Sequence, residues 1–269
     1  MAEAGDAKTG KKPSPLNKTL RLTDDDRRAP LPLLDGPALA DRIYCADAVD
    51  GLRVAPPADL IFADPPYDWP FEKHEAWIEA ASVVLRPGGS IYVCGDWRLS
   101  GTLQALLGRH FEIRNRITWK RDKGRGASKN WKAAMEDVWY AVKRGADFTF
   151  NLVKWKKPVI APYRVDGKPK DWVEEDGERY RMTHPSNMWT DLCVPFWSMP
   201  ENTEHPWQKP EKLVERILEA SSRPGDLVID PFLGSGTTAV VARRLGRRCL
   251  GFELDPDWVR VALKRLSAT

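Results

Sequence analysis

The segment D-P-P-Y, Asp64 to Tyr67, follows a short apolar run that is typical of a buried strand. Pro65 and Pro66 have no backbone N–H and fix the local backbone, so the carbonyl groups of Asp64 and Pro65 can act purely as acceptors. With the Asp64 carboxylate, they can accept hydrogen bonds from an amino group and localise its lone pair for attack. Tyr67 offers a face on which a planar base can stack, which is worth about 1–3 kcal/mol. The segment predicts a binding site for a conjugated amine.

A second segment, DPFLGSGTTA from Asp230 to Ala239, places Gly234 and Gly236 between a predicted strand and a predicted helix. Glycines allow a tight turn and a close approach of the backbone to a ligand, and a helix N-terminus offers free N–H groups. Glu253 closes the next strand, where a carboxylate can accept hydrogen bonds from ribose hydroxyls. Alone, this pattern also fits the dinucleotide fingerprint of a nicotinamide or flavin enzyme, or a turn that binds no ligand.

The order of the two segments argues against a conventional dinucleotide-binding domain, which begins with its glycine loop. Only 16 residues follow Glu253, enough for one helix but not for the rest of a sheet. The remaining strands must therefore come from the N-terminal half. We predict an α/β fold with a doubly wound, mostly parallel sheet of the Rossmann type, circularly permuted. In such a sheet both segments, at the carboxyl ends of strands, face one crevice.

Patterns along the chain divide it into four parts. Residues 1–30 are predicted to form a disordered tail. Residues 31–144 alternate short apolar runs with helical patterns and contain D-P-P-Y. Residues 145–200 are rich in proline, charge and tryptophan without a sustained period, which predicts an inserted recognition region. Residues 201–269 resume the α/β pattern and contain the glycine turn.

A basic segment with tryptophans lies between Arg114 and Lys132, where eight lysines or arginines accompany one acid, Asp122. Cations beside aromatic side chains suit a phosphate backbone with bases to stack on, although a solvated surface loop has the same composition. The residues predicted to contact nucleic acid are Trp119, Lys120, Arg121, Lys123, Arg125, Lys129 and Trp131.

Composition excludes several classes of protein. With 30% charged and 42% hydrophobic residues, the chain has no apolar run long enough to span a membrane, and its N-terminus lacks a signal-peptide core. We expect a cytoplasmic protein that has no membrane partner. The four cysteines have no metal-ligand spacing, so no metal is expected. None of the four cysteines follows a proline.

Three motifs in order, D-P-P-Y, then H-P-W-Q-K-P (His205 to Pro210), then D-P-F-L-G-S-G-T-T, resemble the amino-group DNA methyltransferases of the permuted β group. The resemblance covers residues 40–268 apart from 145–200, and implies S-adenosylmethionine as cofactor. Trp207 stands where the family commonly has threonine. The core pattern is intact, and the motif does not predict how Trp207 packs. The resemblance implies that Asp64, Pro65, Pro66 and Tyr67 are catalytic. The implied cofactor-binding residues are Asp47, Asp64, Lys209, Asp230, Phe232, Gly234, Ser235, Gly236, Thr237, Thr238 and Glu253.

The implied reaction is transfer of a methyl group to N6 of an adenine flipped out of double-stranded DNA. D-P-P-Y usually accompanies adenine in this family, and cytosine N4 is the alternative. An RNA or protein amide methyltransferase stays open, although the glutamine-modifying relatives tend to carry N-P-P-Y. A catalytically silent nucleic-acid-binding module stays open as well. The resemblance is to prokaryotic or phage enzymes, for which a homodimer and a cognate restriction endonuclease are further expected partners.

Overall fold

The computed structural model describes residues 16–125, 128–159 and 164–269, with the backbone alone at 122–125 and 168–169. The helices are α1 (Asp24–Arg28), α2 (Ala48–Arg53), α3 (Phe71–Val84), α4 (Ser100–His110), α5 (Glu211–Ser221), α6 (Thr237–Arg244) and α7 (Pro256–Ser267). The strands are β1 (Arg42–Cys45), β2 (Ala58–Ala63), β3 (Leu85–Gly95), β4 (Glu112–Arg125), β5 (Ala133–Val142), β6 (Trp155–Pro158), β7 (Arg164–Val165), β8 (Lys168–Pro169), β9 (Val173–Glu175), β10 (Glu178–Thr183), β11 (Met188–Trp189), β12 (Leu227–Asp230) and β13 (Arg248–Glu253).

The main sheet has the strand order β1-β13-β12-β2-β3-β5-β4-β11. The first five strands are parallel, β5 is antiparallel to both β3 and β4, and β11 pairs parallel with β4. The C-terminal strands β12 and β13 therefore lie between β1 and β2 of the N-terminal half. The predicted permuted, mostly parallel α/β sheet is confirmed, and so are the two antiparallel strands expected from the sequences FEIRNRITWK and DVWYAVK.

The sheet reverses its winding between β2 and β12, which are neighbours and pair Leu60 with Val228 and Ile61 with Ile229. From β12 the chain continues to β13 on one side, and from β2 it continues to β3 on the other. Ligands of doubly wound sheets bind outside the carboxyl ends of the strands at this switch point. D-P-P-Y follows β2 and the glycine turn follows β12, so the sheet itself brings the two motifs together.

Both faces of the sheet are buried, as a parallel sheet requires. On one face Leu60 and Phe62 pack with the apolar residues of α5, α6 and α7. On the other, Ile61 and Ala63 pack with Trp77, Leu103 and other residues of α2, α3 and α4. This two-sided burial explains why the strand before D-P-P-Y is a continuous apolar run rather than an alternating one.

Residues 16–30, part of the predicted tail, make specific contacts in the structure. Leu20 forms a β-bridge with Thr203, and the Thr23 side chain caps α1 in a capping box. Lys264 Nζ of α7 lies 2.5 Å from Asp26 Oδ2. The three acids Asp24, Asp25 and Asp26 thus form the first turn of a short helix next to α7. The Asp26 carboxylate accepts hydrogen bonds from the Thr23 backbone N–H and from the Lys264 ammonium group, which stabilises this helix start. Residues 1–15 of the predicted tail lie outside the described residues.

The predicted inserted region contains a small three-stranded antiparallel sheet of order β6-β10-β9 and the two-stranded hairpin β7–β8. The guanidinium groups of Arg164 and Arg179 lie 5.1 and 5.8 Å from the ring of Trp172, which is 6% exposed. The later strand β11 joins the main sheet instead. Its Trp189 is buried and packs near Arg216 of α5.

Candidate active site

A cavity of about 1220 Å³ lies at the carboxyl ends of β2 and β12. Its wall includes nearly all residues that the sequence motifs single out: Asp47, Asp64, Pro65, Pro66, Tyr67, Lys209, Asp230, Phe232, Gly234, Ser235, Thr237, Thr238 and Glu253. Gly236 is not in the wall, and packs against α7 instead. The volume exceeds the range of about 300–1,000 Å³ typical of small-molecule pockets, so one cavity offers room for two ligands side by side.

The Asp64 carboxylate is held from two sides. The Tyr67 hydroxyl donates to Oδ1 at 2.8 Å, and Lys209 Nζ lies 2.5 Å from Oδ2. Burial and the neighbouring Asp64 carboxylate raise the pKa of Tyr67 well above its usual value, so its hydroxyl stays protonated and remains a donor. The family resemblance assigns Lys209 to the cofactor, whereas in the structure its ammonium group is bound to the D-P-P-Y aspartate.

A second buried carboxylate, Glu136 of β5, lies beside this group and is 6% exposed. It forms an ion pair with Arg121 of β4, and its Oε2 lies 3.5 Å from Lys209 Nζ. The Tyr67 hydroxyl is 3.4 Å from the same oxygen. Sequence reasoning missed Glu136. The signal was the adjacent pair Glu136-Asp137 within an otherwise apolar strand, because buried acids are rare unless they are paired.

The glycine turn after β12 is tight because both glycines adopt left-handed backbone, with φ of 52° at Gly234 and 82° at Gly236. A Cβ atom at Gly234 would lie 3.2 Å from His205 Nε2, and one at Gly236 would lie 2.7 Å from Ala262 Cβ. The turn therefore packs directly on the H-P-W-Q-K-P segment on one side and on α7 on the other. Burial lowers the pKa of His205 to about 4, so this contact is made by a neutral ring.

Asp230 organises the start of α6. Its carboxylate accepts from Phe232 N at 3.0 Å and from Thr238 Oγ1 at 2.5 Å, and it is 2% exposed. Burial raises the pKa of Asp230 to about 7. Arg265 of α7, a buried residue that sequence reasoning missed, donates to Ser235 O and to Thr237 Oγ1, both at 3.0 Å. The sequence did not predict this contact, because basic residues are common in the last turn of a helix.

Glu253 at the end of β13 accepts from Gly234 N through Oε2 and from Asp255 N through Oε1, both at 2.8 Å. Burial raises its pKa. Two backbone donors thus fix the carboxylate at the cavity wall. Asp47 also lies in the wall, where its side chain caps α2 by accepting from Val49 N and Asp50 N. The predicted cofactor aspartate is therefore also a helix cap.

The predicted nucleic-acid contacts separate into two groups. Trp119 is 1% exposed, belongs to the hydrophobic core, and donates from Nε1 to Leu192 O. It also lines the cavity. Arg121 lies in the cavity wall. Lys120, Lys129 and Trp131 are exposed, Trp131 to 93%. The side chains of Lys123 and Arg125 lie outside the described part of the chain.

The donor and acceptor groups of the cavity fit S-adenosylmethionine. The fixed Glu253 carboxylate suits ribose hydroxyls, Phe232 offers an aromatic surface, and the glycine turn lets the backbone approach the ligand. Trp207, which departs from the common family pattern, is 60% exposed at the cavity rim, so the substitution disturbs no core packing.

Comparison with known proteins agrees with this geometry. The family model of the N6/N4 DNA methylases matches residues 58–264. The DNA adenine methyltransferase YhdJ of Escherichia coli (strain K12) is 33% identical over 84% of this chain and 83% of its own length. The type II methyltransferase M.HpaI of Haemophilus parainfluenzae is 30% identical over 84% of this chain and 74% of its own.

Among solved structures, the crystal structure of the M1.HpyAVI–SAM complex superposes with a TM-score of 0.62 and 26% identity, covering 84% of this chain and 98% of that one. No helix among the described residues is long and apolar enough to cross a membrane. With the family match spanning the motifs on both sides of the cavity, the chain belongs to the DNA methylases that transfer a methyl group from S-adenosylmethionine to the N6 of adenine or the N4 of cytosine.

Proposed function

We propose that this enzyme methylates N6 of an adenine flipped out of double-stranded DNA. The observation that carries the proposal is the Asp64–Pro65 acceptor group at the wall of a cavity that also contains the glycine turn. The D-P-P-Y form of the motif and the adenine specificity of the Escherichia coli relative favour adenine over cytosine.

The residues around Asp64 suit recognition of an amine. The target NH₂ group donates to the Asp64 carboxylate and to the Pro65 carbonyl, which orient the nitrogen and its lone pair. Tyr67 fixes one carboxylate oxygen and offers its ring to the base. Bound S-adenosylmethionine would supply an electrophilic methyl group, whose bond to the sulfonium sulfur breaks as its bond to nitrogen forms, with the electron pair left on a neutral thioether sulfur. The nitrogen that receives the methyl group must afterwards lose one proton, which the Asp64 carboxylate can accept because the same amine donates to it.

The other side of the cavity suits the cofactor. The Glu253 carboxylate would accept hydrogen bonds from the ribose hydroxyls, the Gly234 turn would allow the backbone to approach the cofactor, and Phe232 would offer its ring to the adenine. Thr237 and Thr238 lie at the start of α6, near the expected position of the amino-acid end. Asp47 and Asp230 also belong to the cofactor side of the cavity. Asp230 is buried and acts by holding the glycine turn in place rather than by direct contact with the cofactor.

The surface around the cavity mouth suits duplex DNA. Lys120, Lys129 and Trp131 are exposed on the segment whose strand β4 leads to the cavity. We assign residues 145–200, with their separate small sheet, to recognition of the DNA sequence. A cognate restriction endonuclease belongs to the same proposal, supported by the type II methyltransferases among the relatives. A homodimer stays an expectation from the family resemblance. The bacterial relatives and the DNA substrate support action in the cytoplasm.

Product identification tests the proposal. The purified protein is incubated with labelled S-adenosylmethionine and unmethylated duplex DNA of mixed sequence, and the digested nucleosides are identified by mass spectrometry. We expect N6-methyladenine. N4-methylcytosine would keep the site and change the base, and the absence of any methylated nucleoside despite cofactor binding would overturn the DNA assignment.

A further inference from the structure

Glu136 is a buried acid in the cavity wall to which no motif gives a role. It lies on β5 directly opposite Trp119 of β4, and only 6% of its surface is exposed. Its carboxylate contacts three members of the site, Arg121, Lys209 and Tyr67. A buried carboxylate is strongly unfavourable unless it is paired, so these contacts need an explanation.

Positive and negative side chains alternate around Glu136 in a series of ion pairs. Arg121 pairs with Glu136, Glu136 approaches Lys209 at 3.5 Å, and Lys209 contacts Asp64 at 2.5 Å. The side chains of Lys209 and Glu136 are 9% and 7% exposed, so water screens their interaction weakly. One ammonium group is therefore shared between two carboxylates, of which only Asp64 belongs to D-P-P-Y.

This sharing affects how Asp64 meets a substrate. An ammonium group that had Asp64 as its only anionic partner would hold that carboxylate tightly and compete with an incoming amine for its lone pairs. Glu136 offers the same ammonium group a second anionic partner at a short distance. Lys209 can then shift toward Glu136 while Asp64 accepts hydrogen bonds from the amine.

We propose that Glu136 is a positioning residue for methyl transfer, which shares Lys209 with Asp64 and thereby leaves the Asp64 carboxylate free to bind the target amine. This inference rests on the proposed function, because it concerns the same amine. Arg121 pairs with the other carboxylate oxygen of Glu136 and holds this side chain in position. Arg121 is also a cation in the cavity wall.

The neighbouring residue provides a matched control. Asp137 is also a buried acid of β5, 3% exposed, and as the residue after Glu136 in the strand it lies on the opposite face of the sheet. There it accepts from Ser100 Oγ at 2.9 Å and from Thr118 Oγ1 at 3.0 Å, outside the cavity wall. A substitution of Asp137 removes a buried charge from the same strand without touching Lys209.

The first test uses the protein without cofactor or DNA. Unfolding equilibria are measured for Glu136→Gln, Lys209→Met and the double variant. Each variant lowers the folding equilibrium constant by some factor. If the two side chains interact, the factor for the double variant should be about tenfold smaller than the product of the two single factors. For Asp137→Asn combined with Lys209→Met, the factor should instead equal the product of the two single factors. Multiplying effects in the Glu136 pair as well would overturn the sharing of Lys209.

The second test separates positioning from folding. At saturating cofactor and DNA, Glu136→Gln should lower kcat by about 10- to 100-fold, while the Kd of S-adenosylmethionine changes by less than about threefold. Asp137→Asn should stay within about threefold of wild type in kcat. Adding Lys209→Met to Glu136→Gln should not lower kcat further by more than about threefold, because the competing ammonium is gone.

The outcomes separate the two proposals. A wild-type protein that methylates no DNA contradicts the proposed function, whatever the unfolding cycle shows. A wild-type protein that methylates DNA, with Glu136→Gln indistinguishable from Asp137→Asn in kcat, contradicts the positioning role alone. Losses of kcat that multiply in the Glu136 and Lys209 double variant also contradict it.

Discussion

At the scale of single residues, Asp230 shows how burial sets the chemistry of one side chain. It ends β12 with 2% exposure, and its carboxylate accepts from one backbone N–H and one hydroxyl but faces no cation at hydrogen-bond distance among the described residues. Burial therefore dominates and raises its pKa to about 7. The glycine turn, which lines the cavity, is anchored by a carboxyl group that changes charge near neutral pH.

Stability should depend on pH through Asp230. The folded protein holds this proton up to about pH 7, whereas the unfolded chain releases it near pH 4. Between these values the folded state binds more protons, so its stability falls as pH rises, by about 4 kcal/mol for this group. Asp230→Asn should lack this component. Denaturant unfolding at pH 4.5 and 7.5 should show about 3 kcal/mol of this difference, and an equal pH dependence in both proteins would contradict the assignment.

Gly236 is constrained both by its backbone and by its neighbour. With φ of 82° and a would-be Cβ 2.9 Å from the Ala262 Cα, Gly236→Ala meets left-handed strain and a clash with backbone. Gly225 has φ of 89° and open space around its would-be Cβ, so Gly225→Ala meets strain alone. We expect Gly225→Ala to cost about 1–2 kcal/mol and Gly236→Ala to cost about 1–3 kcal/mol more. Equal losses of unfolding free energy would show that α7 moves aside without cost.

At the scale of elements, Asp47 joins a helix start to the cavity. Its carboxylate caps α2 and lies in the cavity wall. Asp47→Ser keeps a capping oxygen and removes the charge, whereas Asp47→Ala removes both. We expect Asp47→Ala to lower the unfolding free energy by about 1 kcal/mol and Asp47→Ser to lower it much less. Both should weaken cofactor binding in calorimetry. Unchanged affinity in both variants would limit Asp47 to its capping role.

The sequence predicts the elements that carry the motifs, because their signals are local. An apolar run followed by D-P-P-Y, or a strand followed by a glycine turn, identifies β2, β12 and their exits from a few residues. The position of Glu136 beside Lys209 depends on the pairing of β5 with β3 and β4, which no local pattern encodes. The sequence also showed no sign that residues 16–30 are structured. The residues that they contact, Thr203 and Lys264, are far away in the chain.

At the scale of the whole molecule, the charge distribution matters more than the net charge of +4. Lys120 and Lys129 are exposed on the segment that adjoins the cavity, whereas Arg109 lies in the last turn of α4, outside the cavity wall. We expect the Lys120→Gln and Lys129→Gln pair to reduce the slope of log K against log salt by about 0.9 for each phosphate that is no longer neutralised. Arg109→Gln serves as the control and should leave the slope unchanged. DNA titrations by fluorescence anisotropy at several salt concentrations measure this, and equal slopes in all variants would place the DNA elsewhere.

The proposed function depends most on Asp64, which we propose binds the target amine in a cavity shared with the cofactor. The most direct measurement is single-turnover methylation by wild type and Asp64→Asn, with the affinities for S-adenosylmethionine and DNA measured on the same samples. We expect Asp64→Asn to bind both ligands within about threefold of wild type and to methylate at least about 100-fold more slowly. A variant that methylates at the wild-type rate would contradict this role of Asp64, because the amine would then be bound and oriented without its carboxylate.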